Sequence, residues 1–151
     1  MVRSVLKTPN KALKAKSTSV TKFDDTLKKL VRDLMDTMKA LGGVGIAAPQ
    51  IGVTKRVIIV QAPKKSLYVM INPTIEDMRG EEGDSLEGCL SVPGRSGVVK
   101  RNLEIQIKYH NIEGEEKRAI ALEDEAKIVQ HEIGHLNGEL FIDVAYKIWK
   151  T

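Results

Sequence analysis

Apolar positions recur with a helical period near the start of the chain. Leu27, Leu30, Val31, Leu34, Met35, Met38 and Leu41 fall on one stripe, with charged and polar residues between them. Asp24 suits the N-cap and Gly42-Gly43 the stop, so an amphipathic helix is predicted here. The segment Gly43-Val44-Gly45-Ile46-Ala47-Ala48-Pro49-Gln50-Ile51-Gly52 breaks that period. Arg56 to Gln61 and Leu67 to Ile71 read as strands, the second broken by Asn72-Pro73. The acidic, glycine-containing stretch from Glu76 to Asp84 reads as a turn or loop. Val98-Val99 and the alternating run Leu103 to Tyr109 read as further strands. Asn111 to Gly114 reads as a hairpin turn, with Lys117 to Ile120 returning. From Glu123 to Leu136 apolar residues lie on several sides (Ala126, Ile128, Val129, Ile133, Leu136), which predicts a buried helix stopped by Asn137-Gly138. This order predicts an α+β fold: antiparallel β-sheets packed around a buried C-terminal helix, plus an N-terminal amphipathic helix.

Composition narrows the setting. A chain of 151 residues is expected to form one domain, 1–151, with a real core. The net charge of +4 is spread along the chain and suits solubility. A basic surface also suits RNA-rich surroundings, so a transient ribosome contact is expected. Only 4% of residues are aromatic, which leaves little for base stacking and argues against a specific nucleic-acid partner. A single cysteine excludes an intramolecular disulfide and fits a reducing compartment. No apolar run approaches the ~20 residues that span a bilayer, so no membrane partner is expected. The first 22 residues lack acids and superficially resemble an organelle transit peptide.

The chemistry concentrates in His131-Glu132-Ile133-Gly134-His135. Histidines four apart on a helix share a face and can grip one metal ion, and the glutamate beside the first can reach a water on that metal. Burying two histidines and a glutamate without partners is costly, which favours a site over three idle polar residues. The remaining histidine, His110, ends a strand beside a turn and reads as structural. A third ligand is needed. Downstream lie Glu139 and Asp143 but no histidine, and Cys89, in Leu86-Glu87-Gly88-Cys89-Leu90-Ser91, is the strong candidate. Cys89, His131 and His135 would leave one tetrahedral position open for water. Gln50 ends a glycine-rich segment that has neither a phosphate-loop ending nor a preceding strand; its amide could donate to a developing oxyanion.

Taken together, Gly43-Val44-Gly45-Ile46-Ala47-Ala48-Pro49-Gln50, Glu87-Gly88-Cys89-Leu90-Ser91 and His131-Glu132-Ile133-Gly134-His135 resemble the three signatures of the peptide deformylases, G-φ-G-φ-A-A-x-Q, E-G-C-φ-S and H-E-φ-D-H, φ being apolar. Order and spacing agree. The opening Ser4-Val5-Leu6-Lys7-Thr8-Pro9-Asn10-Lys11-Ala12-Leu13 is similar to that family's N-terminal arm, which sets the transit-peptide reading aside and leaves a cytoplasmic protein as the expectation.

The resemblance implies removal of the N-formyl group from the formyl-methionine of new polypeptides, with release of formate. It implies one divalent metal ion per chain, natively Fe2+, with Zn2+, Ni2+ or Co2+ accepted, held by Cys89, His131 and His135. Such a metal lowers the pKa of its water from 15.7 to roughly 7. Glu132 would act as general base and then acid, while the Gln50 amide and the Leu90 N–H stabilise the oxyanion. Gly43, Val44, Gly45, Ile46, Glu87, Gly88 and Ile128 are the expected substrate-binding residues, the first four docking an extended peptide strand-like. One position departs: residue 134 is glycine where the family has aspartate. That aspartate is expected to pair with an arginine, matched here by Arg101, which would then seek another partner. Two readings stand as alternatives: a general zinc peptidase, which would not need Cys89, and a catalytically silent relative that binds peptides or ribosomes.

Overall fold

A computed structural model describes all 151 residues. The N-terminal arm carries one short helix, α1 (Lys11–Lys14), capped by the Asn10 side chain. The amphipathic stripe forms α2 (Asp25–Ala40), where Asp24 Oδ1 accepts the Leu27 N–H at 3.1 Å, as its position before the stripe predicts. Then follow β1 (Gly45–Ala47), a tight 3-10 turn (Ala48–Ile51), β2 (Val57–Val60), β3 (Tyr68–Cys89), β4 (Val92–His110) and β5 (Glu116–Leu122). The chain continues without a linker into α3 (Glu123–Leu136), then α4 (Phe141–Val144) and β6 (Lys147–Lys150). The strands pair in the order β1-β2-β3-β4-β5, with β6 added on β4, and every named pair is antiparallel.

Two helices sandwich the first strands. Ile58, Val60 and Met70 belong to the core shared with Val129, Ile133 and Leu136 of α3. Val57, Ile59 and Ile71 belong to the core shared with Leu27, Val31, Leu34 and Met38 of α2. Both faces of β2 are therefore covered, which is why its sequence is apolar throughout instead of alternating. The α3 helix is held against the sheet by more than apolar contact. Gln130 Oε1 accepts the Asn102 N–H at 3.0 Å and its Nε2 donates to the Asn102 carbonyl at 2.8 Å.

Three expectations require correction. Asn72-Pro73 does not end a strand: β3 runs through it with a register shift between Ile71 and Thr74. The irregularity is anchored by the Asn72 side chain, which bonds both the N–H and the carbonyl of Val20. Glu76 to Asp84 is not a loop but the middle of β3. Local turn propensity loses there to cross-strand partners of opposite charge, Arg79 opposite Glu104 and Asp84 opposite Lys100. Gly80, at φ +72, lies in the register shift that absorbs the irregularity. The two strands expected at 98–99 and 103–109 are one continuous strand, β4. The sequence reading also passed over β6.

Candidate active site

Three elements bring the polar residues together. His131, Glu132 and His135 stand on one stretch of α3, Cys89 is the last residue of β3, and Gln50 sits in the 3-10 turn after β1. The ligand atoms of Cys89, His131 and His135 lie within 4.8 Å of one another. Cys89 Sγ is 3.4 Å from His135 Nε2. Gln50 is fixed at both ends of its amide: Oε1 accepts the Ala47 N–H at 2.9 Å, and Nε2 lies 3.2 Å from Ser91 Oγ and 3.6 Å from Cys89 Sγ. The amide nitrogen therefore faces the thiol.

A buried chain of charges backs the first histidine. Arg101 grips Glu87 through two bonds of 2.9 Å, and Glu87 Oε1 lies 2.8 Å from His131 Nδ1. Burial works to raise the Glu87 pKa, but the bonds from Arg101 and His131 outweigh it and hold it at about 2. An ionised carboxylate only accepts, so His131 Nδ1 is the donor. That fixes the ring with Nε2 turned to the cluster, the arrangement in which an imidazole ligates a metal.

The donor set fits a metal ion on its own observations. One thiol and two imidazole nitrogens converge, His135 buried and Cys89 and His131 half-buried, a soft and borderline set suited to late first-row divalent ions. Burial opposes a charge on His131, yet its bonds to Cys89 and Glu87 push its pKa up to about 10. Burial and the neighbouring His131 push His135 down to about 3. Glu132 is almost fully buried and its Oε1 has no hydrogen-bond partner. Burial raises its pKa to about 7, against the pull of His131. An unpartnered buried carboxyl with a near-neutral pKa beside such a cluster has the properties of a general base.

Beside this group opens a cleft of about 480 Å³. Gly43, Val44 and Gly45 line one side, and Glu87, Gly88, Cys89 and Leu90 another. Gln50, Ile128, His131 and Glu132 complete most of the wall. Ile46 does not line the cleft: its side chain is fully buried against α2. Glu87, expected to meet substrate, has its carboxylate engaged by Arg101 and His131 instead. Gly45 is glycine for a visible reason. A Cβ there would lie 2.5 Å from Glu132 Oε2.

The sequence reading missed Gly42, Ser85, Leu86 and Lys127, which also line the cleft. Lys127 stands one helical turn before His131, a spacing that places it on the same face. Ser91, which fixes Gln50, was visible as the last residue of the second signature.

A family model for polypeptide deformylase matches residues 2–150. The chain belongs to the polypeptide deformylase family. A peptide deformylase from Desulforudis audaxviator is 42% identical over 149 residues, covering 99% of this chain and 97% of that protein. The Thermotoga maritima peptide deformylase structure superposes with a TM-score of 0.93 at 34% identity, over 96% of this chain and 98% of that one. An Acinetobacter baumannii class I type b peptide deformylase with Met-Ala-Ser bound superposes with a TM-score of 0.92 at 37% identity, over 95% of this chain and 98% of that one.

The deformylase-family departure at position 134 has a local counterpart. Glu139 folds back through its N–H to the Gly134 carbonyl, and its Oε1 stands 3.1 Å from where a Cβ on residue 134 would be. Arg101 does not lack a partner, because Glu87 takes both of its bonds.

Proposed function

We propose that residues 1–151 act as one catalytic domain that removes the formyl group from the N-terminal formyl-methionine of new polypeptides. The observation that carries this is the buried, unpartnered Glu132 carboxyl beside the converging Cys89, His131 and His135, within a deformylase-family chain. The three ligating residues would hold one divalent metal ion, with Fe2+ as the native choice and Zn2+, Ni2+ or Co2+ as substitutes. Such an ion supplies Lewis acidity, lowering the pKa of water and polarising a carbonyl.

The chain's own residues supply the rest. Glu132 takes a proton as a C–O bond forms between water and the formyl carbon. It hands that proton to the departing amide nitrogen as the C–N bond breaks, giving formate and a free amine. A pKa of about 7 suits both steps near neutrality. The Gln50 amide, aimed at the cluster by Ala47 and Ser91, and the Leu90 N–H donate to the oxygen on which charge develops. The segment Gly43 to Gly45, which leads into the edge strand β1, lines the cleft where an extended peptide can lie strand-like, with Gly88 across from it. Ile128 lines the wall that receives the methionine side chain. The hydrogen of a formyl group is the smallest acyl substituent, and a tight site rejects larger ones. The Acinetobacter relative with Met-Ala-Ser bound supports a peptide of that form as the product.

A thiol ligand calls for a reducing compartment, which supports the cytoplasm as the place of action; no helix is long and apolar enough to cross a membrane. Nascent formyl-methionyl chains are the partner, with transient contact at the ribosome that makes them. The test is formate release from formyl-Met-Ala-Ser by protein purified without oxygen, with bound metal quantified. Formate with about one metal per chain supports the reading. Metal without formate, also after Ni2+ or Co2+ exchange, refutes it in favour of a silent relative. Cys89→Ser should lose or change the metal, whereas a general zinc peptidase would keep it.

A further inference from the structure

The outer face of β3, β4 and β6 presents an apolar patch that the catalytic cleft does not account for. Leu86 is 73% exposed, although it also lines the cleft. It stands directly opposite Val98 of β4, which stands directly opposite Lys147 of β6. Directly opposed residues of antiparallel strands put their side chains on one face. Trp149, two residues along β6 from Lys147 and opposite Ser96, shares that face. The other face of β4 here is packed, because a Cβ on Gly97 would meet Phe141 and Ala145.

Trp149 and Tyr146 are both substantially exposed beside this row. Lys147 has its ammonium 6.0 Å from the Trp149 ring centre and no carboxylate partner, whereas neighbouring Lys100 is paired with Asp84 at 2.6 Å. An exposed leucine and tryptophan flanking a half-buried valine, with a free cation at one end and a cleft wall at the other, form a continuous apolar strip that single scattered surface residues do not.

We infer that this face is a track for residues four to six of the same nascent peptide, and that it prefers an apolar residue followed by an acidic one. The inference rests on the deformylase reading of the cleft. Leu86 belongs to both surfaces, so the track is continuous with the substrate site. Two strand spacings separate Leu86 from Lys147, about 10 Å. An extended chain covers that in about three residues. A tripeptide fills the cleft and stops short of the track. The apolar residue lies on Val98 and Trp149, and the acid meets Lys147. Trp149 and Lys147 act on binding alone and lie outside the reacting group.

The chain has a single tryptophan, Trp149, so its fluorescence reports the track directly. Two measurements test the inference on metal-loaded protein. The first is kcat/KM for formyl-Met-Ala-Ser and for two hexapeptides that extend it, one ending Leu-Asp-Asp and one ending Gly-Lys-Lys. The second is Trp149 emission during titration with the unformylated forms of the same three peptides. The acidic hexapeptide is expected to exceed the tripeptide about fivefold in kcat/KM, through KM, and to shift the emission, while the other two peptides leave it unchanged. Lys147→Glu should reverse the order of the two hexapeptides while leaving tripeptide turnover unchanged. Trp149→Ala should abolish the gain for the acidic hexapeptide.

Equal kcat/KM for all three peptides with a silent tryptophan would overturn the track but leave the deformylase reading intact. Absence of formate from every peptide would count against the deformylase reading alone, and the emission titration would still decide the track. Emission that depends on protein concentration and not on peptide would overturn it in favour of self-association through β6.

Discussion

Replacing Gly45 with alanine tests whether Glu132 is placed by the absence of a side chain on β1. The added Cβ would stand 2.5 Å from Glu132 Oε2 and 3.0 Å from its Cδ and Cγ. Ordinary van der Waals contact begins at 3.4 Å, so something must retreat by about 0.9 Å. The strand is poorly placed to do so: Gly45 pairs with Val60, and the next residue, Ile46, is fully buried against α2. Nothing in the backbone of residue 45 demands glycine, since its φ is not positive. The Glu132 carboxyl must therefore move, in a site where its Oε1 has no bond to hold it. A misplacement of about 1 Å costs on the order of a hundredfold in rate, or about 2.7 kcal/mol of transition-state stabilisation. The assay is kcat/KM for formate release, with metal content and melting temperature measured on the same preparation. The loss is expected in kcat, with metal content unchanged. In a Glu132→Asp background, where the carboxyl is already withdrawn, the added methyl should cost much less, because the two changes act on one contact. Turnover within about twofold of the parent, with Glu132→Gln still inactive, would refute the reasoning.

Other perturbations follow from the same geometry. Arg101→Met leaves the buried Glu87 charge without its bidentate partner and should destabilise the protein by about 3–5 kcal/mol, read by chemical denaturation. Gly134→Ala should raise stability by up to about 1 kcal/mol, because the helix gains a better former and the crowding atom belongs to the far end of the Glu139 side chain. Gly134→Asp sets two carboxyls together and should melt lower than Gly134→Asp combined with Glu139→Gln; equal melting points would contradict it. Asp143 Oδ2 accepts the Leu140 N–H at the start of α4 and the Lys14 ammonium. Burial raises the pKa of Asp143, but those two partners outweigh it and hold the carboxyl below its ordinary value. Its contribution is therefore complete above the ordinary aspartate pKa of about 3.9 and is lost as pH falls through the depressed one. Asp143→Asn should cost about 0.5 kcal/mol at pH 7 in chemical denaturation, because its pair with Lys14 is solvent-screened, and the gap from the parent should close in strong acid.

The two long helices were legible because their ends are written in local chemistry. Asp24 before the stripe and Asn137-Gly138 after Leu136 mark boundaries that the structure keeps. The convergence of Cys89, His131 and His135 was legible for a related reason, since two of the three lie four apart on one helix. What local pattern does not encode is pairing at a distance. The polar hairpin arms of β3 and β4 look like loop because their stability lies in partners far along the chain, such as Asp84 and Lys100. The Arg101–Glu87 pair was invisible for the same reason, and the resemblance pointed Arg101 toward position 134 instead. Strand β6 is four residues, all exposed, with no buried face and too few positions to show a period.

The amide of Gln130 carries a consequence for how this chain tolerates change. By bonding both backbone groups of Asn102, it indexes α3 against β4 at a single rotation and a single height. The helix starts directly from β5, so there is no slack upstream to absorb an error. Removing one residue between Glu123 and Gln130 would turn everything beyond by roughly 100° and shift it by about 1.5 Å, carrying His131, Glu132 and His135 away from Cys89 together. Point substitutions on the solvent side of α3 leave that index untouched. Length changes there are forbidden, while the same changes in the turn at Asn111 to Gly114 shift nothing that the cluster depends on.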